Sequence, residues 1–146
     1  MRTRSRIVVA AIAAVFLLAA TPTDYKLSKG AYKEVALGGR KKVEIKAAMP
    51  AASYDTYRLD VPAGLARLEV GVITQGEDLE IAVRMGSEIA SYVEKGGCDY
   101  RDFGSDPDPA CIIDNPPAGP IFIDVVNLGS FGAEYKLRAA STKAKG

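Results

Sequence analysis

The sequence predicts an all-β protein: an antiparallel β-sandwich of about eight short strands, preceded by a signal peptide. Three observations carry this. From Tyr25 onward apolar residues recur at every second position, glycine and proline clusters separate those runs, and no long stretch has helical spacing. Period two belongs to strands with one buried face. Short, often interrupted strands without intervening helices imply antiparallel sheets packed face to face.

The N-terminus is basic through Arg6 and then apolar from Ile7 to Ala20, ending in small residues. This is the layout of a secretory signal peptide, and the run is shorter than the ~20 apolar residues a bilayer-spanning helix needs. An uncleaved membrane anchor is the competing reading. Residues 1–20 are assigned to the signal peptide, 21–140 to one sandwich domain and 141–146 to a polar, flexible tail. The expected location is secreted or periplasmic. The signal peptide holds three of the 19 basic residues and none of the 18 acidic ones, so the processed chain has 16 against 18, a net charge of −2. That balance supplies no basic field to hold nucleic acid or an anionic membrane.

The strands follow in order. Tyr32–Leu37 and Lys42–Ala47 are weaker candidates, with Arg40, Lys41 and Lys42 read as a solvated hairpin tip. Tyr57, Leu59 and Val61 alternate with Arg58 and Asp60, and Leu68, Val70 and Val72 with Arg67, Glu69 and Gly71. A one-residue slip would bury the charges, so register is strongly specified. Leu79, Ile81 and Val83 form the next strand, Ser91–Glu94 and Cys111–Asp114 are weaker ones, and Ile121, Ile123 and Val125 form another. Tyr135, Leu137 and Ala139 make the last. Turn formers stand between them: Gly38-Gly39, Pro62-Ala63-Gly64, Gly96-Gly97, Pro116 to Pro120 and Gly129.

Taken in order, Tyr57 to Gly64, Leu68-Glu69-Val70, Gly76 to Arg84, the segment between Cys98 and Cys111, Asn115 to Val125 and the closing Tyr135-Lys136-Leu137 resemble the bacterial pre-peptidase C-terminal domain. That family is a jelly-roll-like sandwich appended to secreted proteases and other exported enzymes. The resemblance spans about residues 54–140. It departs at Glu80, where the family usually has an aromatic residue, so no aromatic platform is expected on that strand. It departs also in having no catalytic domain attached, so the domain is expected to act by itself or through a partner chain.

In an exported chain, Cys98 and Cys111 are expected to form a disulfide, with free or metal-binding thiols as the competing reading. The sequence contains no histidine, which removes Ser-His and Cys-His nucleophile activation and the common His-bearing zinc sites. No motif places paired carboxylates or a lysine base, so no enzyme activity is expected. No cofactor is expected apart from calcium. Its candidate ligands are Asp78, Asp99 and Asp102, with Asp106 and Asp108 in the same acidic loop, although the spacing matches no EF-hand and Asp-Pro-Asp-Pro also writes a solvated turn. Asp78 could instead fix the turn by accepting backbone N–H bonds. Tyr100 and Phe103 are the candidate ligand-binding pair, able to stack on a sugar ring or a protein side chain, or else to seal one end of the sandwich by packing.

The expected function is that of an exported, non-catalytic binding module whose loops engage an extracellular or periplasmic protein, a matrix component or a carbohydrate. The alternative is a structural or chaperone-like accessory to another exported protein. The binding module predicts polar sheet faces, the accessory an exposed apolar sheet face of several hundred Å². A histidine-free hydrolase would need two carboxylates about 5 to 10 Å apart in a cleft.

Overall fold

Alternation becomes layering in the computed structural model, which describes residues 25–37 and 41–145. The expected signal peptide and Arg40 lie outside those residues. Among the described residues, nine strands form two sheets: β1 (Ser28–Val35), β2 (Lys42–Met49), β3 (Ser53–Val61), β4 (Leu65–Thr74), β5 (Glu80–Met85), β6 (Tyr100–Asp102), β7 (Ala110–Asp114), β8 (Gly119–Asn127) and β9 (Ala133–Lys143). One sheet has the order β1-β3-β8-β5-β6 and the other β2-β9-β4-β7. The alternating apolar sets of β3, β4, β5, β8 and β9 point between the sheets, and Tyr57, Leu59, Leu68, Val70, Ile81, Val83 and Val125 are fully buried there.

Four details differ from the sequence reading. First, β1 pairs with β3 in parallel, whereas the other ladders are antiparallel. The chain leaves β1 for β2 in the opposite sheet and returns at β3, so the two neighbours run the same way. Alternation within a strand carries no information about such a crossover. Second, Ser91–Glu94 is not a strand: the Ser91 hydroxyl accepts the N–H groups of Val93 (3.1 Å) and Glu94 (2.8 Å), which turns the chain. Third, β9 continues to Lys143, so the first three residues of the expected tail are strand, and Ser141 N–H donates to the Lys41 carbonyl at 2.7 Å. Fourth, the bond expected between Cys98 and Cys111 is not present. Cys111 points into the core between the sheets, while Cys98 packs on a second cluster on the outer face of the five-stranded sheet.

That second cluster forms because the connection between β5 and β6 folds back over the sheet. Ile89 and Tyr92 are buried against Tyr54, Ala82 and Val126. The Tyr92 ring lies 5.4 Å from Phe103 and 6.4 Å from Tyr54, centre to centre, the latter edge-on. Beneath it Asp124 is buried, accepting hydrogen bonds from the hydroxyls of Tyr92 (2.7 Å) and Thr56 (2.7 Å).

A second polar assembly joins the sheets. The Tyr135 hydroxyl on β9 donates to Asp55 Oδ2 on β3 at 2.5 Å and lies 2.7 Å from the Tyr57 hydroxyl. A hydroxyl has one hydrogen. Tyr135 spends its own on Asp55, so Tyr57 is the donor to Tyr135. Asp55 Oδ1 accepts the Ala31 N–H at 2.8 Å, which fastens β1 to the same assembly. Gly30 is required there, because a Cβ at that position would collide with the Asp55 carboxylate.

Candidate functional site

The strand registers bring four loops to one end of the sandwich. Met49 pairs with Ala133, Thr74 with Tyr135, Ser53 with Asn127 and Ile81 with Asp102, so residues 50–52, 75–79, 103–109 and 128–132 emerge together. They are tied in two pairs, 50–52 with 128–132 and 75–79 with 103–109. Ala52 N–H donates to the Gly129 carbonyl (3.2 Å), Thr74 N–H donates to Asp108 Oδ1 (3.1 Å), and the Thr74 hydroxyl lies within hydrogen-bond distance of the carbonyls of Glu77 (2.8 Å) and Pro107 (3.0 Å). Glu77 accepts the Gln75 N–H at 3.1 Å, so Glu77 and Thr74 serve the turn-fixing role expected of Asp78.

The most organised of these loops is the one between β8 and β9. Asn127 is buried, and its side-chain amide donates to the carbonyls of Pro50 (3.1 Å) and Phe131 (2.8 Å) while its oxygen accepts the Gly129 N–H (2.9 Å). One side chain therefore fixes both ends of the turn. The loop holds Leu128 and Phe131 outward, and Phe131 is 85% exposed. A large apolar ring in water on a braced loop costs hydration free energy, and it recovers that only by burial against something else. The sequence reading gave Phe131 no role. The signal was present as Asn-Leu-Gly-Ser-Phe-Gly, an Asx-turn composition with an aromatic residue where a polar one would suffice.

The expected pair Tyr100 and Phe103 is not brought together. Three residues apart on an extended segment, the two side chains point to opposite faces: Tyr100 packs on the inner core and Phe103 on the Tyr92 cluster. The calcium candidates also separate. Asp99 accepts the Met85 N–H at 2.7 Å, whereas Asp102 accepts the Ala110 N–H at 3.1 Å, and three residues of strand put about 10 Å between them. Among the described residues, no three Cys, Asp or Glu side chains converge so as to hold a metal ion.

Asp78 and Asp102 instead flank Glu80. This carboxyl is only 6% exposed, its Oε2 is buried without a hydrogen-bond partner, and burial followed by the charges of Asp78 and Asp102 pushes its pKa up to about 7. Cys111 is affected similarly: burial first, then Asp102 and Cys98, push its thiol up to about 12. Reduced protein should therefore leave Cys111 unlabelled by iodoacetamide at pH 8 until denaturant is added, because only the thiolate reacts. Peptide mapping of the alkylated chain measures this, and rapid native labelling of Cys111 would contradict its burial.

Surface depressions lie away from the tips of these loops. One of about 450 Å³, on the outer face of the four-stranded sheet, is lined by Lys46, Ile73, Gln75, Glu134 and Lys136. One of about 410 Å³, at the opposite end, is lined by Leu37, Pro62 and Leu65 with Lys41 and Lys143 at its margin. The first contains one carboxylate and the second none, so neither offers the pair a histidine-free hydrolase would need.

Two face-to-face sheets with these connections give the chain a fold like that of pre-peptidase C-terminal domains. Among solved structures it is similar to the pre-peptidase C-terminal domain of a collagenase from Bacillus anthracis, with a TM-score of 0.57 and 12% identity over 77% of this chain and 96% of that one. It is also similar to PliG of Aeromonas hydrophila, a periplasmic inhibitor of g-type lysozyme, with a TM-score of 0.52 and 16% identity over 79% of this chain and all of that one. No family model matches the sequence, and no curated protein matches it. At these identities the likeness is one of fold, and function is argued from the loop end.

Proposed function

We propose that this chain is an exported, non-catalytic binding module that engages a protein through the loop end, with Phe131 as its anchor. The observation that carries the reading is a nearly bare phenylalanine held by a buried asparagine on a turn that is already ordered. Hot spots of protein interfaces are apolar anchors that enter a pocket, and a pre-ordered loop loses little entropy when it docks. A carbohydrate platform is less well supported, because Tyr100 and Phe103 are committed to two different packing clusters. The accessory reading needs an apolar sheet face. The outer face of the four-stranded sheet instead carries Glu44, Lys46, Glu69, Glu134, Lys136 and Arg138, and the other sheet is covered in part by Ile89 and Tyr92. Export is supported by the leader-like N-terminus. That PliG, of the same fold, is an inhibitor of another protein fits a protein ligand.

The test is a photocrosslinking residue at position 131, with controls at the exposed positions Ile112 and Tyr32, in the organism that makes the protein. Protein adducts are expected from position 131 and not from the controls. Phe131→Ala should leave the melting temperature nearly unchanged yet weaken binding at least ~30-fold, as loss of an anchor does. Equal adducts at all three positions would overturn the assignment.

A further inference from the structure

The two ends of the sandwich are chemically unlike. The four loops at the Phe131 end contain Glu77, Asp78, Asp106 and Asp108, and the segment entering β1 beside them adds the exposed Lys26, so among the described residues carboxylates outnumber ammonium groups there. The opposite end holds the depression of about 410 Å³, with an apolar floor of Leu37, Pro62 and Leu65 and with Lys41 and Lys143 at its margin. An apolar ring on an end of net negative charge thus has its counterpart, on the other end of an identical molecule, in an apolar recess lined by two lysines. The recess is ample for one phenyl ring.

We infer that the partner of the Phe131 end is a second copy of this chain, Phe131 entering the recess between Lys41 and Lys143 of the next molecule in a head-to-tail contact. The inference rests on the proposed role of Phe131 and names its occupant. Opposite charges around the recess would orient the encounter and reject the end-to-end like-charge arrangement. A contact between different surfaces of identical molecules leaves one surface unused at each end of a pair, so assembly proceeds past the dimer into a chain or a ring. The rim charges are exposed, and the contact should weaken as salt screens them.

Sedimentation velocity of the processed chain, from about 1 to 500 µM, tests this. At 50 mM NaCl the average mass should rise with concentration beyond that of a dimer, and at 500 mM NaCl assembly should need at least ~10-fold more protein. Phe131→Glu should remain monomeric, and so should the double variant Lys41→Glu, Lys143→Glu, with circular dichroism showing both folded. Each variant keeps one intact surface, so an equimolar mixture should form a dimer and go no further. Wild-type protein that is monomeric throughout, or a dimer of either variant alone, would overturn the inference. Adducts from position 131 to a different protein, with the wild type monomeric, would end the self-assembly inference and leave the binding reading standing. No adducts at all would end both.

Discussion

Asp55→Ala should destabilise the protein by about 3–5 kcal/mol, measured by urea unfolding at pH 7. Asp55 is 3% exposed, and its two oxygens accept bonds from Tyr135 on the opposite sheet and from the Ala31 backbone. Truncation leaves the buried Tyr135 hydroxyl without its acceptor, which forfeits its desolvation cost in full, and it removes the Ala31 anchor that fastens β1. Tyr135→Phe should cost less, about 1–3 kcal/mol, because the backbone bond from Ala31 survives while Tyr57 loses its acceptor. The two losses should not add in the double variant, because the residues share a bond. Additive losses would show that the three groups do not act as one assembly.

The second large effect concerns the Tyr92 cap. Tyr92→Ala should cost about 3–5 kcal/mol, since it removes a fully buried ring and a hydrogen bond to Asp124 together. The same region should make the protein more stable at pH 5 than at pH 8. Burial raises Asp124 from 3.8 to about 6, against the hydrogen bonds from Tyr92 and Thr56 that favour its charged form. Glu80 rises from 4.5 to about 7. In both cases the folded state holds its proton more tightly than the unfolded one. The contribution is present below the unfolded value and is lost as pH climbs to the folded one, between about 4 and 6 for Asp124 and between about 4.5 and 7 for Glu80. For Asp124 alone the loss from pH 5 to pH 8 is about 1 kcal/mol. Asp124→Asn combined with Glu80→Gln should flatten the profile, and a wild type more stable at pH 8 would refute the account.

The sandwich was legible because its core is written in alternation. The apolar sets Tyr57 to Val61, Leu68 to Val72, Leu79 to Val83, Ile121 to Val125 and Tyr135 to Ala139 are all buried. What alternation cannot show is what covers a face. Asp124 stands at a position that reads as solvent-facing, and it is buried only because the connection carrying Ile89 and Tyr92 returns over it. Asp55 lies just before the alternating set that begins at Tyr57, and its role depends on Tyr135, 80 positions away. The candidate site was less legible still. The acidic residues and Tyr100 with Phe103 drew attention by composition, whereas Phe131 gains its character from a turn that Asn127 closes through bonds invisible in a linear reading.

Both sheets are open, with β1 and β6 bordering one and β2 and β7 the other. Such borders are templates for amyloid growth unless they are blunted. Here β1 bears Lys29 and Lys33, β2 bears Lys42 and Lys46, β6 is three residues long, and β7 is five long, preceded by Pro107 and Pro109. Every rim therefore repels or fails to seat an incoming peptide backbone. Concentrated protein should withstand fibril seeding even where its tips attract one another, which separates reversible polymerisation from pathological deposition in a single small domain.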